Sequence, residues 1–332
     1  MNNFYYSIYG PSIEQFLDLK RSLGYKYKEA DGVLAKFDKI AMDRNETSVG
    51  ISKELEDECC RKYPNQSEKS RCNRIQVIRQ FSLFLCQLGY SSNIPKLPPH
   101  TSVHTPYIFS REEVNAIFTC CDQLKATQHN PNSLFFVVPT LFRLLYGTGI
   151  RTSEALFLSC KDVNLEDKYL ILRNCKNGED RLVPISDSLA EVCREYLKYR
   201  NHCAALNNNT SDRFFIYRDG RACDIFAPYR WFRRVLFKAG ISHGGRGQGP
   251  RLHDFGRHTF SVHSLASMAE AGIDLYYSLP VLSTYLGHQS LASTDKYVRL
   301  TAEMYPSIIE NANKLHPYLF PEIYKIRENE TN

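Results

Sequence analysis

Long apolar runs, a secretion signal and a nucleotide-binding loop are all absent from this sequence. No stretch approaches the roughly 18 uncharged apolar residues that cross a bilayer. The opening residues, MNNFYYSIYG, lack the basic-then-apolar layout of a signal peptide. The glycine-rich segment Gly244–Pro250 is not followed by Gly-Lys-Ser/Thr, so it does not read as a phosphate-binding P-loop. We therefore expect a cytoplasmic protein with no membrane partner.

Metal-binding and disulfide patterns are also missing. The chain has 11 cysteines, but no C-x-x-C spacing occurs. Four of the cysteines form two directly adjacent pairs, Cys59-Cys60 and Cys120-Cys121. Structural zinc sites need paired Cys or His ligands at short, fixed spacings. No cluster of carboxylates can be placed that would hold Mg²⁺, as two-metal nucleases require. We therefore expect reduced, packing thiols and no metal or other cofactor.

The composition is that of an ordinary folded protein with a small positive excess. Charged residues make up 23% and hydrophobic residues 43% of 332 residues, which excludes a disordered or collagen-like chain. A chain of this length predicts two domains. The 42 Lys and Arg against 36 Asp and Glu leave a net charge of +6, which permits a polyanionic partner without requiring one.

The first 94 residues predict a helical domain. Apolar residues recur at helical spacing, and Gly24 is placed to end the first helix. A third helix is expected at about 51–62, and a fourth from Asn65, with Glu68 completing a capping box. The proline-rich stretch at residues 95–107 then predicts a stiff interdomain linker.

Residues 108–332 predict a second domain that is mainly helical with a small β-sheet, so the fold class is α+β. Ser110 and Glu113 form a capping box that opens a helix, and a second apolar helix runs from Leu134 to Tyr146. Segments 168–173 and 181–185 flank a short polar turn and predict a β-hairpin. Further helices are expected at about 187–200, 224–239, 254–271, 278–287 and 291–312.

Four separated stretches of this second domain carry polar groups in apolar surroundings. Together they supply two arginines, a lysine, two histidines and a tyrosine. Guanidinium groups can neutralise the nonbridging oxygens of a phosphodiester in the transition state. Lysine and histidine can transfer protons, and tyrosine can form a covalent intermediate. This set suits nucleophilic substitution at a phosphodiester without a metal.

The order and spacing of these stretches resemble the tyrosine recombinase (phage integrase) family, which includes the Xer recombinases. The matching segments are Tyr146–Glu154, Cys175–Pro184, Leu252–Phe260, and Leu286–His288 with Tyr297 nine positions after the histidine. They span about 150 residues of the second domain. The helical first domain is similar to the family's core-binding (SAM-like) DNA-binding domain in layout only.

The resemblance implies how the phosphate is attacked and held. Tyr297 would be the nucleophile, and its 3′-phosphotyrosyl link would preserve the bond energy for religation. Arg151 and Arg257 would clamp the phosphate.

The resemblance also implies which groups move protons, with one departure from the family pattern. Lys176 would protonate the 5′ oxygen, His288 would donate a hydrogen bond to the transition state, and His253 would be the general base. In the family this histidine and the arginine that follows it are usually spaced as His-x-x-Arg. Here three residues separate His253 from Arg257. If the segment is already helical at His253, both side chains still share a face. If it is not, a bulge at Gly256 must absorb the extra residue.

Three tyrosine and histidine neighbours of these motifs have alternative interpretations. His258 is expected to be a structural hydrogen-bonding residue, and Tyr285 and Tyr305 are the alternative nucleophiles. The run from Arg257 to His288 is longer than usual and contains Asp274–Pro280, which indicates an extended helix pair.

The resemblance implies a site-specific recombinase that acts on double-stranded DNA as a homo-oligomer, with a tetramer expected on DNA. The extended segment before His288 favours a mobile element as its setting. Apolar residues of the tail after Tyr297 are expected to dock into a neighbouring protomer. Two alternatives remain open, a catalytically silent DNA-binding regulator and a type IB topoisomerase-like enzyme. A metal-dependent nuclease or transposase is disfavoured because no carboxylate triad can be placed.

Overall fold

A computed structural model of the chain describes residues 4–25, 27–99, 105–125, 134–175, 178–207, 210–245 and 248–305. The chain divides into two compact units, Met1–His104 and Thr105–Asn332. The expected linker at residues 95–107 is described only at its two ends. No helix in the described ranges is long and apolar enough to cross a membrane. All eleven cysteines are free thiols.

The described residues of the first unit form four helices, α1 (Gly10–Ser22), α2 (Lys28–Asp43), α3 (Lys53–Cys60) and α4 (Glu68–Gln87). Their buried faces meet around three aromatic rings, Phe16, Phe37 and Phe81, which pack edge-on or tilted at centroid distances of 5.6 Å. Helix α1 ends as expected, because Gly24 adopts a left-handed φ of 87° and its amide bonds the Arg21 carbonyl.

The start of α4 differs from the sequence prediction. Asn65 is not the N-cap: it lies in a turn with φ of 59°, and no capping box forms between it and Glu68. The cap is Ser67, whose hydroxyl accepts a hydrogen bond from the Ser70 amide at 3.2 Å. Both residues are good caps, so the local sequence permits either start. Arg74 donates a hydrogen bond to Gln66 at 3.1 Å, just before this cap.

The second unit begins with a helical layer, α5 (Arg111–Asp122), α6 (Val138–Thr148) and the short α7 (Thr152–Phe157). The Ser110–Glu113 capping box forms as predicted. The described part of α6 begins four residues later than expected, with Pro139 in its first turn, where a missing amide donor costs nothing.

An antiparallel sheet follows, with β1 (Val163–Asn164), β2 (Tyr169–Leu172) and β3 (Arg181–Pro184) in that order. The predicted hairpin is β2 and β3, in which Leu170 pairs with Val183. The edge strand β1 was not predicted, because two residues are too few to show an alternating pattern. Helices α8 (Asp187–Ala205) and α9 (Ala227–Lys238) complete this part of the chain.

The described residues from Asp254 to Met304 are almost entirely helical. A π-helical turn (Asp254–His258) leads directly into α10 (Thr259–Glu270), followed by α11 (Leu275–Leu286) and α12 (Ala292–Met304). Helix α11 starts three residues earlier than expected and accommodates Pro280 in its interior. The tail residues expected to dock on a neighbour lie beyond 305, outside the described residues. The fold is therefore mainly helical with one small sheet, as the sequence predicts.

Candidate active site

The His-Arg motif lies on a helix that contains one extra residue. Residues 252 and 253 are α-helical, 254–258 form the π turn, and α10 continues from Thr259. A π turn closes i to i+5 instead of i to i+4, so it takes up one additional residue without ending the helix. Gly256 lies within the turn, where an added Cβ would come within 3.2 Å of the Leu145 Cβ in α6. The two alternatives for His253 thus combine: the segment is helical, and a bulge containing Gly256 absorbs the insertion.

The Arg257 guanidinium is buried and held by two backbone carbonyls. Its side chain donates to the Gly149 carbonyl at 3.0 Å and to the Leu286 carbonyl at 2.8 Å. These carbonyls belong to the first and last of the four motifs, so Arg257 joins both to its own helix. Burial and the neighbouring Arg151 lower the pKa of Arg257 to about 10, which leaves it protonated at neutral pH.

Arg151 is positioned by the junction between α6 and α7. Gly149 ends α6 with a left-handed φ of 61°, and the ring of Phe260 occupies the space that a Cβ would need there. Arg151 then caps α7, with its amide donating to Glu154 Oε2 at 2.8 Å and its Nη1 to Glu154 Oε1 at 2.6 Å. The Arg151 side chain retains 26% exposure, so it is accessible to a ligand.

Glu154 is a buried carboxylate that joins the first motif to the hairpin. Arg181 of β3 donates to both of its oxygens, at 2.9 and 3.2 Å. Burial by itself would raise the pKa of Glu154, but hydrogen bonds from Arg181 and from the Arg151 amide outweigh it and lower the pKa. The carboxylate is therefore ionised and offsets part of the charge of the two arginines.

Arg181 also connects the β2–β3 hairpin to the Leu286–His288 motif. An added Cβ on Gly287 would come within 3.1 Å of Arg181 Cδ and Nη1, so the guanidinium packs directly on this glycine. Arg181 Nη1 also lies 3.1 Å from the Cys175 Sγ. Lys176, which follows Cys175 in the sequence, lies outside the described residues.

His288 lies at the turn between α11 and α12. Its Nδ1 is 2.7 Å from the Thr294 Oγ1, and its ring is nearly parallel to that of Tyr297, with the centroids 6.4 Å apart. Burial, followed by the positive charges of Arg257 and Arg151, lowers its pKa to about 4. His288 is therefore neutral at pH 7, with one N–H available as a donor.

Tyr297 is almost completely buried on α12. Its hydroxyl lies 3.0 Å from Nδ1 of His258, and the Lys296 Nζ is 5.0 Å from the centre of its ring. Burial raises its pKa, and Arg257 opposes that effect. The phenol is neutral at pH 7, and a base must accept its proton if it is to attack phosphorus.

His253 contacts His258 and is exposed. Its ring is perpendicular to that of His258 at a centroid distance of 4.7 Å. Loss of water around part of the ring and the charge of Arg257 lower its pKa to about 4. Among the described contacts, the histidine that touches the Tyr297 hydroxyl is His258, which the sequence indicated only as a structural residue.

The alternative nucleophiles are engaged elsewhere. The Tyr285 hydroxyl donates to the Pro184 carbonyl of β3 at 3.1 Å. Tyr305 follows α12, and its ring contacts His263 at a centroid distance of 6.2 Å. Neither contact brings a hydroxyl to Arg257. Of the three tyrosines, Tyr297 is therefore the one whose phenol lies beside Arg257.

Five of the six expected residues therefore fall within the described region, and their motifs converge at Arg257. The arrangement adds Glu154, Arg181 and His258 to the expected set. Their sequence signal was weak, because a Glu three residues after an Arg and an Arg in a strand are typical of surface ion pairs. No group of three or more His, Cys, Asp or Glu in the described ranges could hold a metal ion.

Comparison with known proteins places this site in a family. Residues 108–304 match the model of the phage integrase family. The chain is 29% identical over 303 residues to y4rB, a candidate integrase/recombinase of Sinorhizobium fredii, covering 90% of this chain and 95% of that protein. It is 30% identical over 240 residues to the tyrosine recombinase XerA of Thermococcus onnurineus, covering 71% and 73% of the two chains.

A solved structure shares the fold. The Tn1549 transposon integrase, in complex with transposon right end DNA, aligns with a TM-score of 0.59 at 16% identity, over 88% of this chain and 98% of that chain. This likeness concerns the fold alone. The family match covers more than half of the chain and contains all the motifs described above, so the protein belongs to the phage integrase family of tyrosine recombinases.

Proposed function

We propose that this tyrosine recombinase is a site-specific enzyme that cleaves and rejoins double-stranded DNA through a 3′-phosphotyrosyl link at Tyr297. The observation that carries the proposal is the burial of a phenol hydroxyl beside Arg257, on a helix adjacent to His288. A guanidinium beside a nucleophilic phenol can hold the phosphate that the phenol attacks.

Arg151 and Arg257 would hold the two nonbridging oxygens of the scissile phosphate. Arg257 is already fixed by two carbonyls, and Arg151 is fixed at one end by Glu154. Donors that are positioned before the reaction need little reorganisation as charge develops. His288, neutral at pH 7, would add an N–H to the same oxygens.

Proton transfer completes the chemistry. The bond from the Tyr297 oxygen to phosphorus forms as the bond to the 5′ oxygen breaks. Lys176 would donate a proton to that leaving oxygen, and a histidine of the motif, for which the sequence indicates His253, would accept the phenol proton. Religation would reverse each step, so the chemistry consumes no cofactor.

Helix α9 presents a face that would suit DNA. Its buried side carries Phe232, Val235 and Leu236. Its exposed side carries basic residues at helical spacing: Arg230, Arg233, Arg234 and Lys238. Guanidinium and ammonium groups along one helix face can neutralise phosphates and reach base edges. We assign the first unit, expected as the core-binding domain of residues 1–94, a second contact to the same duplex.

Recombination in this family uses paired cleavages, which require more than one protomer and two DNA sites. We propose that two DNA sites are exchanged by a homo-oligomer, a tetramer on DNA, in the cytoplasm. The chain shares its fold with a transposon integrase, and together with the Asp274–Pro280 segment, which is helical from Leu275, this supports a mobile element as the setting.

Trapping of the covalent intermediate tests the proposal. Sheared and randomly nicked DNA of the source organism is incubated with the protein without divalent metal, and SDS-resistant adducts are sequenced. The captured sequence is then synthesised as a nicked suicide duplex and analysed on a denaturing gel. The wild type should form an adduct and Tyr297→Phe none. An adduct with Tyr297→Phe, or none with the wild type on either DNA, contradicts the proposal.

Exchange of flanking DNA separates the alternatives. Two duplexes that carry the captured sequence and different flanks should yield recombinant products. Relaxation of supercoils without exchanged flanks would indicate a topoisomerase-like enzyme, and binding without an adduct would indicate a silent regulator.

A further inference from the structure

We propose that His258, and not His253, is the group that takes the proton from Tyr297 during cleavage. This inference rests on the proposed function and assigns one of its steps. The observation behind it is the direct contact between the two side chains, with the Tyr297 oxygen 3.0 Å from the His258 Nδ1.

The contact is well shielded and built by long-range packing. His258 is 8% exposed and Tyr297 is 1% exposed, and the two residues come from different helices. His258 is the last residue of the π turn, and it meets α12 directly. His253 is exposed, and its ring is perpendicular to that of His258 with 4.7 Å between the centroids. Among the described hydrogen bonds, the histidine that contacts the Tyr297 hydroxyl is His258.

The chemistry of the step balances with this assignment. His258 must carry its own proton on Nε2, so that Nδ1 offers a lone pair to the phenol. As the Tyr297 oxygen bonds to phosphorus, its proton moves to His258 Nδ1, and Lys176 protonates the departing 5′ oxygen. On religation His258 returns the proton to the tyrosine. A base is needed because burial raises the pKa of Tyr297.

The same helix offers a matched control. His263 is 7% exposed, and its Nδ1 lies 2.8 Å from the Tyr146 hydroxyl, away from Arg257. Replacing either histidine therefore removes a buried histidine–tyrosine hydrogen bond on one helix. Asparagine is the informative replacement, because its side-chain oxygen can accept a hydrogen bond near the position of Nδ1 but cannot take a proton at neutral pH.

The experiment measures single-turnover adduct formation on the synthesised suicide duplex, with DNA binding and thermal unfolding recorded for every variant. We expect His258→Asn to slow adduct formation by about 100-fold or more, the range of general acid–base catalysis. His263→Asn should stay within about threefold of the wild type, and His253→Asn should lose less than His258→Asn. Replacing Tyr297 with trifluorotyrosine, whose phenol is more acidic and depends less on a base, should reduce the difference in the rate of adduct formation between the wild-type and His258→Asn backgrounds.

Two results would overturn the assignment. His258→Asn cleaving within about threefold of the wild type would show that the histidine serves only as a hydrogen-bond partner. A larger loss for His253→Asn than for His258→Asn would return the role to His253. If His258→Asn fails to fold, 2-fluorohistidine at position 258 keeps the shape of the ring and lowers its basicity. Undiminished cleavage with that residue would equally refute the role. Wild-type adducts that require Tyr297 uphold the proposed function in every case.

Discussion

Two histidine–tyrosine pairs occur along one helical segment, and they differ in what surrounds them. His258 contacts Tyr297 at 3.0 Å and His263 contacts Tyr146 at 2.8 Å, in both cases through Nδ1. Both histidines are buried, and burial raises the pKa of both tyrosines. Hydrogen-bond geometry alone therefore does not distinguish the pair proposed to be catalytic from the other pair.

The distinction lies in the cations. Arg257 lies buried beside Tyr297, and Arg151 adds a second charge. The cation that acts on Tyr146 is Arg111, which is 52% exposed and bonded to Glu270 at 3.1 Å. A buried charge acts strongly on its neighbours, while an exposed and paired charge is screened. We therefore expect the two arginines, and not the histidine–tyrosine pair alone, to make the proposed chemistry possible.

The largest change in the rate of adduct formation is expected from replacing the guanidinium of Arg257. In Arg257→Lys the single ammonium cannot bond the Gly149 carbonyl, the Leu286 carbonyl and a phosphate oxygen in the directions that the guanidinium offers. We expect adduct formation on the suicide duplex to fall by about 100- to 1,000-fold, as when one preorganised donor is lost. Arg111→Lys, beside the other pair, is the control and should keep the wild-type rate. Equal losses in the two variants would contradict the role given to the buried cations.

A smaller change should follow from neutralising Glu154. In Glu154→Gln the two arginines lose their buried counter-ion, and Arg151 loses the partner that sets its direction. Breaking a buried ion pair from one side costs about 3–5 kcal/mol, so the urea midpoint of unfolding should fall clearly. Adduct formation, measured where the variant is fully folded, should fall by about 10-fold.

Glu191→Gln provides the matched control, because its carboxylate bonds Arg194 on the exposed face of α8. Its unfolding midpoint and cleavage should match the wild type. If Glu154→Gln also leaves both unchanged, the carboxylate does not position Arg151.

The smallest change is expected at the second pair. Tyr146→Phe removes the hydroxyl that bonds His263, and it leaves a buried ring nitrogen without its partner. The free energy of unfolding should fall by about 1–2 kcal/mol, the cost of an unsatisfied buried polar group. Urea denaturation measures this loss, and adduct formation should be unaltered. A large loss of cleavage would mean that the two pairs are coupled and the comparison does not hold.

Local features were predictable because short-range interactions determine them. The Ser110–Glu113 capping box and the β2–β3 hairpin formed as expected, since each depends on residues a few positions apart. The prediction of an Asn65 cap was wrong because Ser67, two residues later, caps the helix instead. Competition between two adequate caps is decided by packing, which the local pattern does not contain.

The contacts that organise the site join residues far apart in the chain. Arg257 reaches a carbonyl 108 positions away, and His258 reaches Tyr297 across 39 positions. Glu154 and Arg181 meet across 27 positions, although each would pass as a surface charge in its own segment. No spacing rule links such pairs, because they meet only when the helices and the hairpin pack together.

The sequence by itself determined the family, the helical character and the residues that can do the chemistry, because residue types and motif order depend on the chain alone. It also showed that one residue had been added between His253 and Arg257. Only the tertiary structure decided how that residue is accommodated, in a π turn that ends with His258 in contact with Tyr297. The reason is physical: a helix can take up an insertion in several ways, and packing against α6 and α12 selects one of them.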